Sequence, residues 1–335
     1  VATPTDAIDA ASTTLRNAAP HNAVPPAPNN AAPRNAVPPA LRNAVLAWYE
    51  VHGRTLAFRT TTDPYGVLVS ELMAQQTQAA RAAQAWTAWM RRFPTVGALA
   101  AASTADVVRA WAGLGYNRRA VNLHRSARVI LADHGGLVPN SVETLMTLPG
   151  VGPYTARAVA AIAFGVPVGA VDTNVRRVLG RVVAGDETLS AAEIQRVADR
   201  SVPEDRAGDW THALMDIGAG PCRPVNPECA ACPAQAWCRR AATATRGAMR
   251  PALVQRARTR DRGVSVPFES TRRWLRGRIV ARARDAAEGS WSLYGDAIGG
   301  HDPRAVREAL LALAADGVLE VRETEQGIEG RLPIG

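Results

Sequence analysis

Leu148-Pro-Gly-Val-Gly-Pro-Tyr-Thr-Ala156, followed a short way on by Val171-Asp-Thr-Asn-Val-Arg-Arg-Val178, is the stretch from which the fold can be read. A Pro-Gly-Val-Gly turn that opens a helix leaves its first amide groups pointing outward without intrahelical acceptors, and its glycines let a phosphate or another backbone come close. Alone, such a turn is equally an ordinary join between helices. Its company narrows the choice: Glu71 sits upstream in an apolar run, Asp172 opens the next helix, and four cysteines follow.

Composition fits a phosphate grip. The net charge is +9, and all 39 basic residues are arginine, because the chain contains no lysine. Arginine grips phosphate bidentately, and binding to a polyanion releases condensed counterions, so the balance favours a polyanionic partner. Without lysine no side-chain amine exists for a Schiff base. No apolar run reaches bilayer-spanning length, and no charged segment followed by an apolar one marks the start, so the sequence predicts no membrane association and a soluble, cytoplasmic protein. A monomer is expected. The chain opens on Val1 rather than methionine, consistent with a trimmed start or an alternative initiation codon.

Four segments are expected. Residues 1–40 are rich in Ala, Pro and Asn and repeat His21-Asn-Ala-Val-Pro-Pro-Ala27 as Arg34-Asn-Ala-Val-Pro-Pro-Ala40, a composition that buries too little apolar surface to offset its ordering entropy and predicts a disordered tail. Residues 41–240 carry helical periodicity throughout and no strand-length alternation, which predicts a mainly α core in two lobes. Residues 241–267 read as an arginine-rich linker. Residues 268–335 predict a winged-helix-like α+β module: a helix over 271–286, a short helical piece near Leu293, a helix over 303–315 and a closing hairpin.

Within the core, Asp63-Pro64 opens a helix whose apolar positions include Val67, Leu68, Leu72 and Met73, with Glu71 beside them. That pattern allows either a buried carboxyl or a solvated one at the edge of an amphipathic face. Gln75, Gln76 and Thr77 close the run with side chains able to donate and accept toward base edges. Tyr116, after two glycines and before Arg118-Arg119, can wedge between bases from its loop, whereas Trp86 and Trp89 at helical spacing read as core. Asp172 reads as a helix N-cap. Cys222-x6-Cys229-x2-Cys232-x5-Cys238 holds every cysteine of the chain, which in an intracellular protein argues for metal rather than disulfides. Four thiolates suit a structural zinc or a [4Fe–4S] cluster equally.

Taken in order, Arg54-Thr-Leu-Ala-Phe-Arg59, Pro64-Tyr65, Ser70-Glu-Leu-Met-Ala-Gln-Gln-Thr77, Gly113-Leu-Gly-Tyr116, Leu148-Pro-Gly-Val-Gly152, Asp172-x-Asn174-Val175 and the cysteine spacing resemble the helix-hairpin-helix DNA glycosylases that carry an iron–sulfur cluster, and among them the MutY-type family acting at mispaired adenine. The likeness covers roughly three-fifths of the chain, Val45 to Cys238. It implies a [4Fe–4S] cluster on Cys222, Cys229, Cys232 and Cys238, and double-stranded DNA with mispaired adenine as partner. By this resemblance Glu71 is the catalytic acid, protonated at neutral pH if burial raises its pKa, and Asp172 is the ionised partner of the positive charge developing on the sugar. Gln76 would enter the duplex, Tyr116 would stack beside the opposing base, and the amides of Gly150 and Gly152 would hold a phosphate. Asn174 matches the family's asparagine beside that aspartate and is expected at the DNA. Tyr154 stands where strand-cutting relatives carry a lysine, which predicts a monofunctional enzyme leaving an abasic site.

The sequence departs from the family at Ala57-Phe58, at Asn117, at Thr173 and at its short C-terminal segment, which stands in place of a Nudix-like domain that reads 8-oxoguanine. A thymine or uracil mismatch glycosylase and a catalytically idle, cluster-bearing DNA-binding protein are the alternative readings. Gln75-Gln76 after Glu71 favours adenine, and the pair of carboxylates favours an enzyme.

Overall fold

Capping residues set the helix boundaries in the computed structural model, which describes residues 37–245 and 266–334. Helix α1 spans Pro39–His52, and α2 spans Pro64–Ala74 with Asp63 as its N-cap, Oδ2 accepting from the Gly66 amide at 2.7 Å. Pro64 at the first helical position lacks an N–H that would have gone unpaired there. From Tyr65 to Met73 every residue of α2 is buried, so this helix runs through the interior rather than along a face. Around it lie α3 (Ala79–Arg92), α4 (Val96–Ala101), α5 (Thr104–Ala110), α6 (Arg118–Asp133), α7 (Val142–Leu145) and α8 (Pro153–Phe164). Trp89 fills this core edge-on to Phe93 and Trp111, and Trp86 packs beside it, donating to the Gly66 carbonyl.

Helices α7 and α8 with the turn between them form the helix-hairpin-helix. Gly150 has φ +82°, and a Cβ there would stand 2.8 Å from Asn122 Cβ, so both conformation and space demand glycine. α8 ends on Gly165 in the left-handed conformation. A second core gathers α1 with α9 (Thr173–Val183), α10 (Ala191–Ser201) and α11 (Ala207–Ala219), and Cys222, Cys232 and Cys238 pack on it. The mainly α core in two lobes thus has a packing basis, one hydrophobic cluster per lobe.

The C-terminal segment contains α13 (Arg272–Asp285) and α14 (Pro303–Ala315), with α12 (Arg239–Thr245) preceding residues 246–265. Its antiparallel sheet has the order β1-β3-β2, from β1 (Ser292–Leu293), β2 (Glu320–Thr324) and β3 (Gly327–Arg331). One detail differs from expectation. Leu293 lies in a strand, because its backbone pairs with Glu329 across the sheet, and the segment therefore has two α-helices and three strands among its described residues. Leu275, Ile279, Val280 and Leu310 of this segment share one core with Ala105 and Val108 of α5 and Val121 of α6. The tail expected over 1–40 lies outside the described residues as far as 36, and beyond that Val37 is buried and α1 begins at Pro39. Of the linker expected over 241–267, α12 takes the start, and residues 246–265 lie outside the described residues. No described helix is long and apolar enough to cross a membrane.

Candidate active site

The seam between the two cores collects the chemistry. Glu71 comes from the middle of α2, Tyr154 from the first turn of α8, and Asp172 from the N-cap of α9. Glu71 is 8% exposed. Burial pushes its carboxyl up to about 7 and the Asp172 charge adds to the rise, while a hydrogen bond with the Tyr154 hydroxyl and the Arg59 charge oppose it. Burial, the charges of Glu71 and Asp172 and that hydrogen bond keep the Tyr154 hydroxyl well above the usual phenol range, so it remains a donor. The solvated-edge alternative for Glu71 is excluded by its position.

Asp172 is held from two sides. Oδ1 accepts from the Val175 amide at 2.7 Å, and Oδ2 accepts from Asn174 Nδ2 at 3.0 Å. Asn174 is oriented in turn by Arg177, which donates to its Oδ1 at 2.9 Å and also to the carbonyls of Gly218 and Cys222. α11 crosses so near this turn that a Cβ on Gly218 would lie 2.5 Å from Asn174 Cβ. Asn174, expected at the DNA, thus also braces Asp172.

Sequence reasoning passed over the charged groups near this cluster. Asp216 of α11 is 3% exposed and accepts four hydrogen bonds: from Arg54 N and Nε at 2.8 and 2.6 Å, and from both Arg59 terminal nitrogens at 2.7 and 2.8 Å. Burial raises its pKa, but the Arg59 fork and Arg54 outweigh that and hold the carboxyl below the usual aspartate range. His212, one turn earlier, is drawn down to about 3 by desolvation and by Arg59, so its ring is neutral. The available signal was an aspartate within Ala213-Leu214-Met215-Asp216-Ile217, a run too apolar to expose one.

On the adjoining face, Gln75, Gln76, Tyr116, Arg118 and Arg119 line a cavity of about 710 Å³ together with Arg273 and Trp274 of α13. Gln76 and Tyr116 have φ of 53° and 46°, two of three non-glycine residues with positive φ among those described. Such backbone strain, roughly 1–3 kcal/mol per residue, persists only where the surroundings enforce it. Arg119 does the enforcing. It is 9% exposed and donates to the carbonyls of Leu72, Met73 and Gln75 and the Thr77 hydroxyl on one side, and to the carbonyls of Leu114 and Gly115 on the other. Gln75 Nε2 additionally donates to Thr155 at 3.1 Å, tying this loop to α8. Gly150 and Gly152 stand in the hairpin turn, and space around the Cα of Gly152 is open.

Cys222, Cys229, Cys232 and Cys238 line one pocket with Val178, Arg181 and Val182 of α9. Burial pushes the Cys232 thiol up to about 12, and the three other sulfurs add to the rise. Arg181, itself buried, donates toward Cys222 Sγ at 3.7 Å and to the Arg223 and Pro224 carbonyls. Among the described residues no three Cys, His, Asp or Glu side chains are gathered closely enough to hold a single metal ion.

Residues 69–204 match the HhH-GPD superfamily of base excision DNA repair proteins. The chain is 38% identical over 293 residues to an adenine DNA glycosylase of Mycolicibacterium smegmatis, covering 87% of this chain and 94% of that protein. It is 48% identical over 199 residues to the adenine DNA glycosylase of Mycobacterium tuberculosis, covering 58% of this chain and 65%, just under two thirds, of the relative. Among solved structures, a thermostable thymine-DNA glycosylase matches with a TM-score of 0.57 at 28% identity, covering 60% of this chain and 95% of that one. An endonuclease III–DNA complex shares the fold with a TM-score of 0.53 at 24% identity, covering 61% of this chain and 95% of that one. Carrying this site on this fold, the chain belongs to the HhH-GPD superfamily and, within it, to the adenine DNA glycosylase family.

Proposed function

We propose that the protein is a monofunctional DNA glycosylase that turns adenine, mispaired with guanine or 8-oxoguanine, out of a duplex and releases it, leaving an abasic site. The observation that carries this reading is Glu71: a carboxyl with a pKa near 7, buried inside α2 against the Tyr154 hydroxyl and beside Asp172, is a proton donor at neutral pH. A base within a duplex is out of its reach, so the base is everted, at an unstacking cost of roughly a few kcal/mol. Tyr154 donates to one Glu71 oxygen and leaves the carboxyl proton for N7 of the purine. As the bond from C1′ to N9 lengthens, its electrons go to the base, which departs neutral, and positive charge spreads over the sugar. The Asp172 carboxylate, its oxygens fixed by Val175 and Asn174, stabilises that charge without reorganising. Water then adds at C1′ and yields its proton to the Glu71 carboxylate, restoring the acid.

Eversion is assigned to the other face, where Gln76 and Tyr116 are held at positive φ beside a cavity walled by arginine. The hairpin amides at Gly150 and Gly152 grip a phosphate beside the everted nucleotide. With no lysine in the chain, no side chain forms an imine with the sugar, so strand cleavage does not follow.

We further infer that Cys222, Cys229, Cys232 and Cys238 hold a [4Fe–4S] cluster. The donor set fits: four cysteines and no other ligand type share one pocket, with a guanidinium beside Cys222. Bound there, a cluster fixes the fold of residues 222–238, and the chain's own contribution is to seat that loop on α9 through Arg177 and Arg181.

Single-turnover base release from duplexes carrying A·8-oxoG, A·G, A·C, G·T and G·U tests the reading. Adenine release from the first two is expected. Thymine release without adenine release would replace the reading with the activity named for the thymine-DNA glycosylase that shares this fold, and tight binding with no release would make the protein a binding module.

A further inference from the structure

The loop that carries Tyr116 is held by a part of the chain far from it in sequence. We propose that the C-terminal segment positions this wedge loop, with Arg273, Arg284 and Asp316 gripping the three successive residues Tyr116, Asn117 and Arg118. The Arg273 guanidinium lies over the Tyr116 ring, 4.4 Å from its centroid. Arg284 donates to Asn117 Oδ1 at 2.7 Å and to the Val108 carbonyl at 2.9 Å. Asp316, the C-cap of α14, stands 3.5 Å from Arg118 and also accepts from Arg276.

Asn117 directs its side chain to the grip rather than to its own helix. It occupies the N-cap position of α6, where an asparagine oxygen ordinarily accepts from the helix's own first turn. Its side chain makes no such bond. Its oxygen faces Arg284 instead, whose own pKa is lowered by desolvation. A cation stacked on an aromatic ring, a desolvated guanidinium on an amide and a carboxylate between two arginines hold the loop from three directions. The shared core of α13, α14, α5 and α6 keeps those three groups in register with it. Tyr116 thus keeps its positive φ from two sides, Arg119 below and the C-terminal segment above.

This rests on the reading of Tyr116 as a residue that enters DNA, so the test has one readout that needs no DNA. Amide hydrogen exchange over residues 113–119 in the full DNA-free chain is compared among the unmodified protein, Arg273→Ala, Arg273→Lys, Arg284→Ala and Asp316→Asn. Arg272→Ala serves as control: it removes the same charge from the same turn of α13, and its guanidinium pairs with Glu308 rather than with the loop. Faster exchange is expected in the first four variants and not in the control. Arg273→Lys should resemble Arg273→Ala, because a lysine keeps the charge but not the flat face. Misplacing a wedge slows eversion more than it weakens encounter, so the single-turnover rate should fall roughly tenfold while affinity for matched duplex stays within about twofold.

Arg273 is exposed, so its variants stay folded even if loss of Arg284 destabilises the segment. Unchanged exchange in the Arg273 variants overturns the proposal, and so does faster exchange with unchanged release. Slower release with unchanged exchange overturns it in favour of direct contact between Arg273 and DNA. If the unmodified protein releases no base, the functional reading fails, and the exchange comparison still decides whether the grip exists.

Discussion

Arg59 and Arg119 are both buried guanidinium groups, one near Glu71 and the other between the loops that carry Gln76 and Tyr116, and the chain neutralises them differently. Arg59 meets a full countercharge, Asp216, through a two-pronged fork. Arg119 meets none: its six hydrogen bonds end on five backbone carbonyls and one hydroxyl, and desolvation lowers its pKa to about 10, still charged at neutral pH. The difference follows from what lies above each. Near Glu71 an unbalanced cation would draw the carboxyl pKa down and remove the proton that the proposed reaction uses, and Asp216 blunts that pull. No titrating acid depends on Arg119, whose task is to tie two strained loops through many directional bonds.

The largest expected effect breaks the chemical half alone. Glu71→Gln keeps the volume of the side chain but cannot supply the proton, so single-turnover adenine release should fall about 10²–10⁴-fold. Binding of mispaired duplex, followed by fluorescence anisotropy, should persist. Release above one tenth of the original rate would remove Glu71 from the mechanism.

Arg119→Met breaks the other half. It leaves carbonyls of both loops desolvated and unpaired, at about 2–4 kcal/mol of stability in urea unfolding. A loss below 1 kcal/mol would mean that the loops hold themselves.

Asp216→Asn sharpens the contrast, because it exposes the Arg59 charge to Glu71. In the unmodified protein, release should decline as pH rises through about 7, where Glu71 loses its proton. The sign for stability is the same: a carboxyl raised from 4.5 to about 7 contributes fully below pH 4.5, and the contribution is lost as pH climbs through 7. With Asp216→Asn the alkaline limb of the rate profile should move to lower pH by about one unit, a change of about 1.4 kcal/mol in proton affinity. An unmoved limb would show that Asp216 serves packing alone. Arg119→Met should leave the profile where it is, since no carboxylate perturbs Arg119.

How legible these halves were in the sequence differs for physical reasons. Asp172 announces itself, because a cap is a local device encoded within four residues. The bounds of α8 are local likewise, Pro153 at its first position and Gly165 just past its end. The burial of Glu71 was not decided by periodicity, because α2 is enclosed on all sides and an enclosed helix has no polar face to contrast with. Asp216 and Arg59 meet across 157 residues, a pairing no local pattern encodes. Arg119 could have been found: with Leu123, Ala127 and Ile130 it falls on the buried face of α6, whereas its neighbour Arg118 points outward. Leu293 misled because two residues of strand are too short to show alternation, and only pairing with β3 defines them.

The smallest expected effect concerns Asn174, and it separates a strut from a DNA contact. Asn174→Ala removes one of two donors to Asp172 but leaves the Val175 amide in place, so the carboxylate keeps its cap and loses only part of its orientation. One hydrogen bond to a charged group is worth about 1.5–3 kcal/mol at most, and partial loss with relaxation should slow adenine release about threefold to tenfold. If the residue is a strut, the whole loss falls on the chemical step, and the affinity for duplex and its salt dependence stay as they were. A matching fall in affinity with a shallower salt slope would instead assign Asn174 to the nucleic acid. Arg177, freed of one acceptor, still binds Gly218 and Cys222, so the turn itself should survive the substitution.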